Sequence, residues 1–120
     1  MSHTVVIATK LRDVTAVAAA CRRLNLPAPA LGTVALYGGE ASGLIVQLPD
    51  WHYPVAIDLE TGTVRYDNYG GAWGDQQHLD RFLQLYAVEK AKLEARKQGY
   101  AVTEQALQDG SIRVQIREGA

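Results

Sequence analysis

Three histidines, His3, His52 and His78, carry the imidazoles of this 120-residue chain. Metal or proton chemistry needs such groups gathered at short, fixed spacings. None has a Cys or His companion nearby. Asp50 stands beside His52, and Asp75 and Asp80 stand beside His78, a pattern of incidental ion contacts more than of a ligand set. Asp58 and Asp67 are the best pair of carboxylates for acid and base work, yet each also fits the polar half of a strand alternation or a turn. Ser42, within Gly39-Glu40-Ala41-Ser42-Gly43, lacks the Gly-x-Ser-x-Gly spacing of a nucleophile elbow. No catalytic residue, metal site or cofactor is expected from these patterns.

Two other features bear on function. Tyr69-Gly70-Gly71-Ala72-Trp73-Gly74-Asp75 runs into a helical pattern, and backbone amides at such a junction can hold an anion. The run lacks both the Lys-Ser/Thr ending of a phosphate loop and the dinucleotide fingerprint. It supports one reading, a small-molecule or nucleotide-handling domain with this loop as lid or cradle. The second feature is a content of six tyrosines and two tryptophans, residues that combine large contact area with a polar tip and are enriched at interfaces. Trp51, Tyr69 and Trp73 fall in loops and form a candidate interface. The favoured reading is a non-enzymatic interaction or assembly protein, a homo-oligomer or a binder of another protein, that uses unpaired sheet edges and loop aromatics as contact surfaces.

Twelve basic and thirteen acidic side chains leave the chain near neutrality, so no global field draws it to nucleic acid or to an anionic membrane. Arg113 and Arg117 could still touch nucleic acid locally, but a nucleic-acid partner is not expected. Met1-Ser2-His3-Thr4 lacks a charged region followed by an apolar run, and no stretch approaches a membrane span. A soluble, cytoplasmic protein is the expectation. The single cysteine, Cys21, lies in a helical pattern and reads as a small packed residue of inert thiol.

The elements that must position these residues are well signalled. Val5, Val6 and Ile7 suggest a first strand. Asp13 reads as an N-cap for a helix whose apolar stripe is Val14, Val17, Ala20, Cys21 and Leu24; Asn25 can take the left-handed end position, and Pro27 and Pro29 block continuation. Leu31 to Tyr37 and Leu44 to Leu48 read as strands, with Gly38-Gly39 and Gly43 supplying the turn. Val55, Ile57 and Leu59 alternate with Ala56 and Asp58, and Thr61-Gly62 turns into a strand over Thr63 to Asp67. A capped helix follows from Asp75 to Lys97, stopped by Gly99, with Leu79, Phe82, Leu83, Tyr86 and Leu93 inside and Glu89, Lys90, Lys92, Glu94, Arg96 and Lys97 on a solvated face. Tyr100 to Ala106 and Ser111 to Arg117 flank Asp109-Gly110, which predicts a type I′ hairpin. The sum is one α+β domain over residues 1–120, with a mainly antiparallel sheet, two helices on one face and the order β-α-β-β-β-β-α-β-β.

The opening Met1-Ser2-His3, the Trp73 loop, Phe82-Leu83 through Tyr86-Ala87, and Gln98-Gly99-Tyr100 to Asp109-Gly110-Ser111-Ile112 together resemble the hypothetical chloroplast open reading frame thirty-five family. That family is a domain of unknown function found in plastids, cyanobacteria and other bacteria. The resemblance implies a free-standing small soluble domain and carries no reaction or catalytic residue with it.

Overall fold

In the computed structural model, residues 5–8 and 10–118 are described. The order is β1 (Val5–Ala8), α1 (Val14–Arg23), β2 (Ala30–Leu36), β3 (Gly39–Val46), β4 (Val55–Asp58), β5 (Thr63–Tyr66), a 3-10 turn (Tyr69–Gly71), α2 (Gln76–Lys97), β6 (Ala101–Ala106) and β7 (Ile112–Arg117). The fold is α+β. Strands β1 to β5 form one antiparallel sheet in the order β1-β5-β4-β3-β2, and among the described residues β6 pairs with β7 alone as a separate ribbon.

Both helices start and stop by the same chemistry. Asp13 accepts the Ala16 N–H at 3.1 Å and Asp75 accepts the Gln77 N–H at 2.9 Å, which satisfies amides that have no partner inside a helix. At the other end Asn25 and Gly99 adopt left-handed φ of 57° and 79°. The next amides, of Leu26 and Tyr100, then return to the carbonyls of Cys21 and Ala95. This is the paired backbone closure that favours Gly or Asn beyond a helix end.

The helices cover one face of the sheet. Val17, Ala20 and Cys21 of α1 and Leu79, Phe82, Leu85 and Tyr86 of α2 pack with Leu44, Val46, Leu48, Val55, Ile57 and Val64 in the main core. The Tyr86 hydroxyl donates to the Lys10 carbonyl at 3.2 Å and accepts from the Asp13 amide at 3.3 Å, tying α2 to the start of α1. Cys21 is buried here, and burial pushes its thiol up to about 11 despite the opposing pull of Arg22, so little nucleophilic thiolate exists at neutral pH.

The inner face of α2 is broader than its sequence stripe. Leu85, Val88 and Ala95 are buried, while Leu83 and Leu93 are only partly so. The reason is a second neighbour, since the β6–β7 ribbon packs along the same helix. Glu89 and Lys92 are correspondingly not part of a solvated face. They join Arg23 and Glu104 in an ion network, with Arg23 to Glu104 at 2.7 Å and Lys92 to Glu104 at 2.6 Å. At the far end of the ribbon the Gln84 side chain donates from Nε2 to the Gly110 carbonyl at 3.0 Å.

Two turns differ from the sequence reading. Gly110 has φ of 88°, but Asp109 does not have positive φ, so the turn is not type I′. The Gly110 amide donates back to Leu107 and the Leu107 amide to Ser111, the pattern of a type I turn followed by a left-handed glycine. Asp109 completes it by accepting from the Ser111 amide at 3.0 Å. The β2–β3 turn is made by Tyr37 and Gly38, with Leu36 facing Gly39. Gly43 is not in that turn but inside β3.

Gly43 has its own task. Its φ is 149°, and a Cβ there would stand 2.8 Å from the carbonyl carbon of Ile57. Beyond this point residues 39–43 pair with β2 alone. In a flat sheet Tyr37 would lie roughly 23 Å beyond the Val46 end of the strand, yet its ring reaches Trp73, which sits beside His52 and Tyr53 at that end. The hairpin therefore curls across the sheet face opposite the helices. Under it Leu36, Ala41 and Ala56 form a second small core with Val34, Ile45 and Tyr53.

Candidate functional site

The curl brings three connections together: the Tyr37 turn, the β3–β4 loop with Trp51, His52 and Tyr53, and the β5–α2 loop with Tyr69 and Trp73. Trp73 is the hub. Tyr69 stacks on it with centroids 4.7 Å apart and planes at 24°. Tyr37, His52 and Tyr53 approach at 5.6, 5.7 and 5.7 Å in tilted or edge arrangements, the geometries that ring quadrupoles favour. Tyr37 and Tyr69 are 46% and 47% exposed, and Trp73 is half-buried between them. The outcome is an aromatic surface patch built from residues 37, 52, 53, 69 and 73.

Trp51 is not part of that surface. It is 5% exposed within the main core, sets its ring edge-on to Tyr66 at 5.7 Å, and donates from Nε1 to the Asp75 carbonyl at 3.0 Å. Gly74 lies flat against its indole, where a Cβ would be 2.6 Å from Cγ. Trp51 thus anchors the start of α2 from beneath, and the candidate interface is left to Tyr69 and Trp73. Tyr37, His52 and Tyr53 join them, three residues the sequence reading did not select.

The glycine loop is shaped by inward hydrogen bonds. Tyr69, Gly70 and Gly71 take positive φ of 48°, 62° and 104°. The amides of Gly71 and Trp73 both donate to the Asn68 carbonyl, and that of Ala72 to Tyr69. Asn68 is itself buried, and its Nδ2 donates to the Gly74 carbonyl at 3.2 Å and to Gln76 at 3.1 Å. Amides spent in this way cannot also converge on a phosphate. The adjoining cleft, about 510 Å³, is walled by Asp50, His52, Trp73 and Asp75 among others, and its two carboxylates repel an anion.

The other sequence candidates stay apart. Asp58 lies at one end of the β4–β5 hairpin, opposite Thr63, and accepts from the amides of Glu60 and Thr61 in its own turn. Asp67 follows Tyr66 at the other end, fully buried. Its Oδ1 accepts from the Tyr69 amide at 3.3 Å, and its Oδ2 has no hydrogen-bond partner among the described residues. The two do not form a catalytic pair. Ser42 shares its hydroxyl with Thr33 at 2.7 Å on the open sheet. His52 holds the two loops together through its amide, which donates to the Trp73 carbonyl at 2.7 Å, and the His78 amide donates to Asp75. His3 lies outside the described residues.

Among the described residues no group of three or more His, Cys, Asp or Glu is placed to hold a metal ion, and no helix is long and apolar enough to cross a membrane. No family model matches the chain, and neither a curated protein nor a solved structure matches it. The site is therefore defined by its own geometry.

Proposed function

We propose that this chain is an interaction protein that works by binding a protein surface, that of its own copy included, through the aromatic patch around Trp73 and the sheet edge beside it. The observation that carries this reading is the convergence of five rings from three connections on one exposed spot. Aromatic side chains offer large contact area at small cost in side-chain freedom, and clusters of them dominate binding energy at interfaces. Packing them on each other before a partner arrives reduces the ordering that binding must impose. The alternative, a nucleotide-handling loop, has less support, because the loop amides point inward and the neighbouring cleft is acidic.

The test uses exposed residues, which can be changed without opening the core. Tyr37→Ser combined with Tyr69→Ser is expected to keep the circular dichroism of the parent while shifting its mass toward the 13.1 kDa of a monomer in light scattering over a range of concentrations. A folded variant of unchanged mass, or a parent that is monomeric and carries a co-purified metabolite, would overturn the proposal.

A further inference from the structure

β2 is one of the two outer strands of the five-stranded sheet, β1 being the other. It is seven residues long, Ala30-Leu31-Gly32-Thr33-Val34-Ala35-Leu36, and carries no charge. Leu31 is 75% exposed. Edge strands are usually protected by charged side chains, proline or bulges, because their free backbone groups can pair with another strand. β2 has none of these along its length.

The phase of its ladder identifies which groups are free. A two-residue turn makes Leu36 and Gly39 a hydrogen-bonded pair, so Leu36, Val34, Gly32 and Ala30 address β3. The close contact of Thr33 and Ser42 hydroxyls, 2.7 Å, agrees, since side chains approach most nearly across the non-hydrogen-bonded pairs. The N–H and C=O groups of Leu31, Thr33 and Ala35 then point outward, in a set centred on Thr33.

From this we infer that two copies of the chain join edge to edge through antiparallel β2 strands, with the two-fold axis at Thr33, into one continuous sheet of both molecules. The inference rests on the interaction reading above and names its partner. Pairing about Thr33 sets Ala30 against Leu36, Leu31 against Ala35 and Gly32 against Val34 of the second copy. Every off-axis pair matches a small residue with a larger one, so both faces of the new ladder fill without collision. No other centre on this strand exchanges all three outward residues with themselves. An uncharged strand also meets its own copy without like-charge repulsion, the usual obstacle to self-pairing. One residue further on, Tyr37 falls opposite Pro29 of the second copy, so each aromatic patch flanks one end of the shared ladder.

Two measurements test the geometry. Thr33→Pro removes an outward amide and the hydroxyl contact with Ser42 but leaves the backbone bonds to β3 in place, the situation in which proline is tolerated at a sheet edge. It is expected to remain folded by circular dichroism and to weaken association on the order of 100-fold or more, since the axis removes two donors at once. Separately, Thr33→Cys places two thiols across the axis with Cα atoms about 5.5 Å apart, within disulfide reach. Mild oxidation is expected to yield a covalent dimer. Leu31→Cys is expected to yield none, because its copies would stand roughly 13 Å apart along the strands. A parent monomeric at all concentrations, a Thr33→Pro protein that associates like the parent, or cross-linking at position 31 in preference to 33 would each overturn the pairing. If only the tyrosine variants change the mass, the interaction reading stands without the β2 pairing; if only Thr33→Pro does, the pairing stands without the patch.

Discussion

The two hairpins that lie outside the helix-covered core solve the same problem in opposite ways. β6–β7 is a two-stranded ribbon with a half-buried face, and such ribbons are marginal alone. It is fastened by charge, through Glu104 to Arg23 and Lys92, and presents Arg113, Gln115 and Arg117 outward. Among the described residues β2–β3 has no ion-pair tether. It is fastened by shape, through a curl at Gly43 and a small apolar core beneath, and its outer strand bears no charge. A charged ribbon is specific to its own helices and resists foreign strands. A ribbon whose outer strand is uncharged, held from its inner side, leaves its outer side available.

The sharpest way to break this contrast is at Gly43. Gly43→Val must displace the Ile57 backbone and adopt an unfavourable φ, and is expected to cost about 3 kcal/mol or more in urea denaturation. Its cross-strand neighbour is the control. At Gly32 a Cβ would meet only Ile45 Cγ1 at 3.8 Å, so Gly32→Ala should change stability little. Equal effects at the two sites would show that the curl does not depend on Gly43.

A smaller effect is expected in the ribbon turn. Gly110 has open space around it, so Gly110→Val should cost only the strain of a left-handed backbone, about 1–2 kcal/mol, and Gly110→Asn distinctly less. Identical costs would exclude the left-handed turn.

Smallest is the charge tether. Hydrogen bonding to the Arg23 guanidinium first, and to Lys92 second, holds the Glu104 carboxyl below its ordinary 4.5. A depressed carboxylate contributes stability that is full above the unfolded value and is lost as pH falls through the folded one. Glu104→Gln should therefore lower stability by about 1 kcal/mol or less at pH 6, and the difference from the parent should fade below 4.5 and in high salt. A gap that persists in acid would mean that packing, not charge, fastens the ribbon.

Local chemistry was legible where the signal and its target lie within one turn of chain. Asp13, Asp75, Asn25 and Gly99 mark helix ends through bonds to amides and carbonyls only a few residues away, and the strand and helix order follows from their spacing. Features that depend on distant partners were not legible. Nothing near Gly43 reveals that the Ile57 carbonyl will lie against it. Trp51 and Trp73 both sit in loops, and contacts of Trp51 with Tyr66, Gly74 and the Asp75 carbonyl separate the core residue from the surface one. Glu89 and Lys92 read as solvated because Glu104, on another element, completes their network. Asp109-Gly110 suits either of two hairpin turns, and the longer connection decided between them.

The contrast between the tryptophans also gives the molecule two internal optical probes. Trp51, sealed in the core and bonded to the Asp75 carbonyl, should emit to the blue and resist acrylamide, and so report on whether the chain is folded. Trp73, half-buried and stacked with Tyr69, should emit further to the red and be quenched more readily, and so report on what touches the patch. Replacing Trp73 by Phe would separate the two spectra, and a blue shift that rises with protein concentration in the parent but not in this variant would locate association at the patch itself.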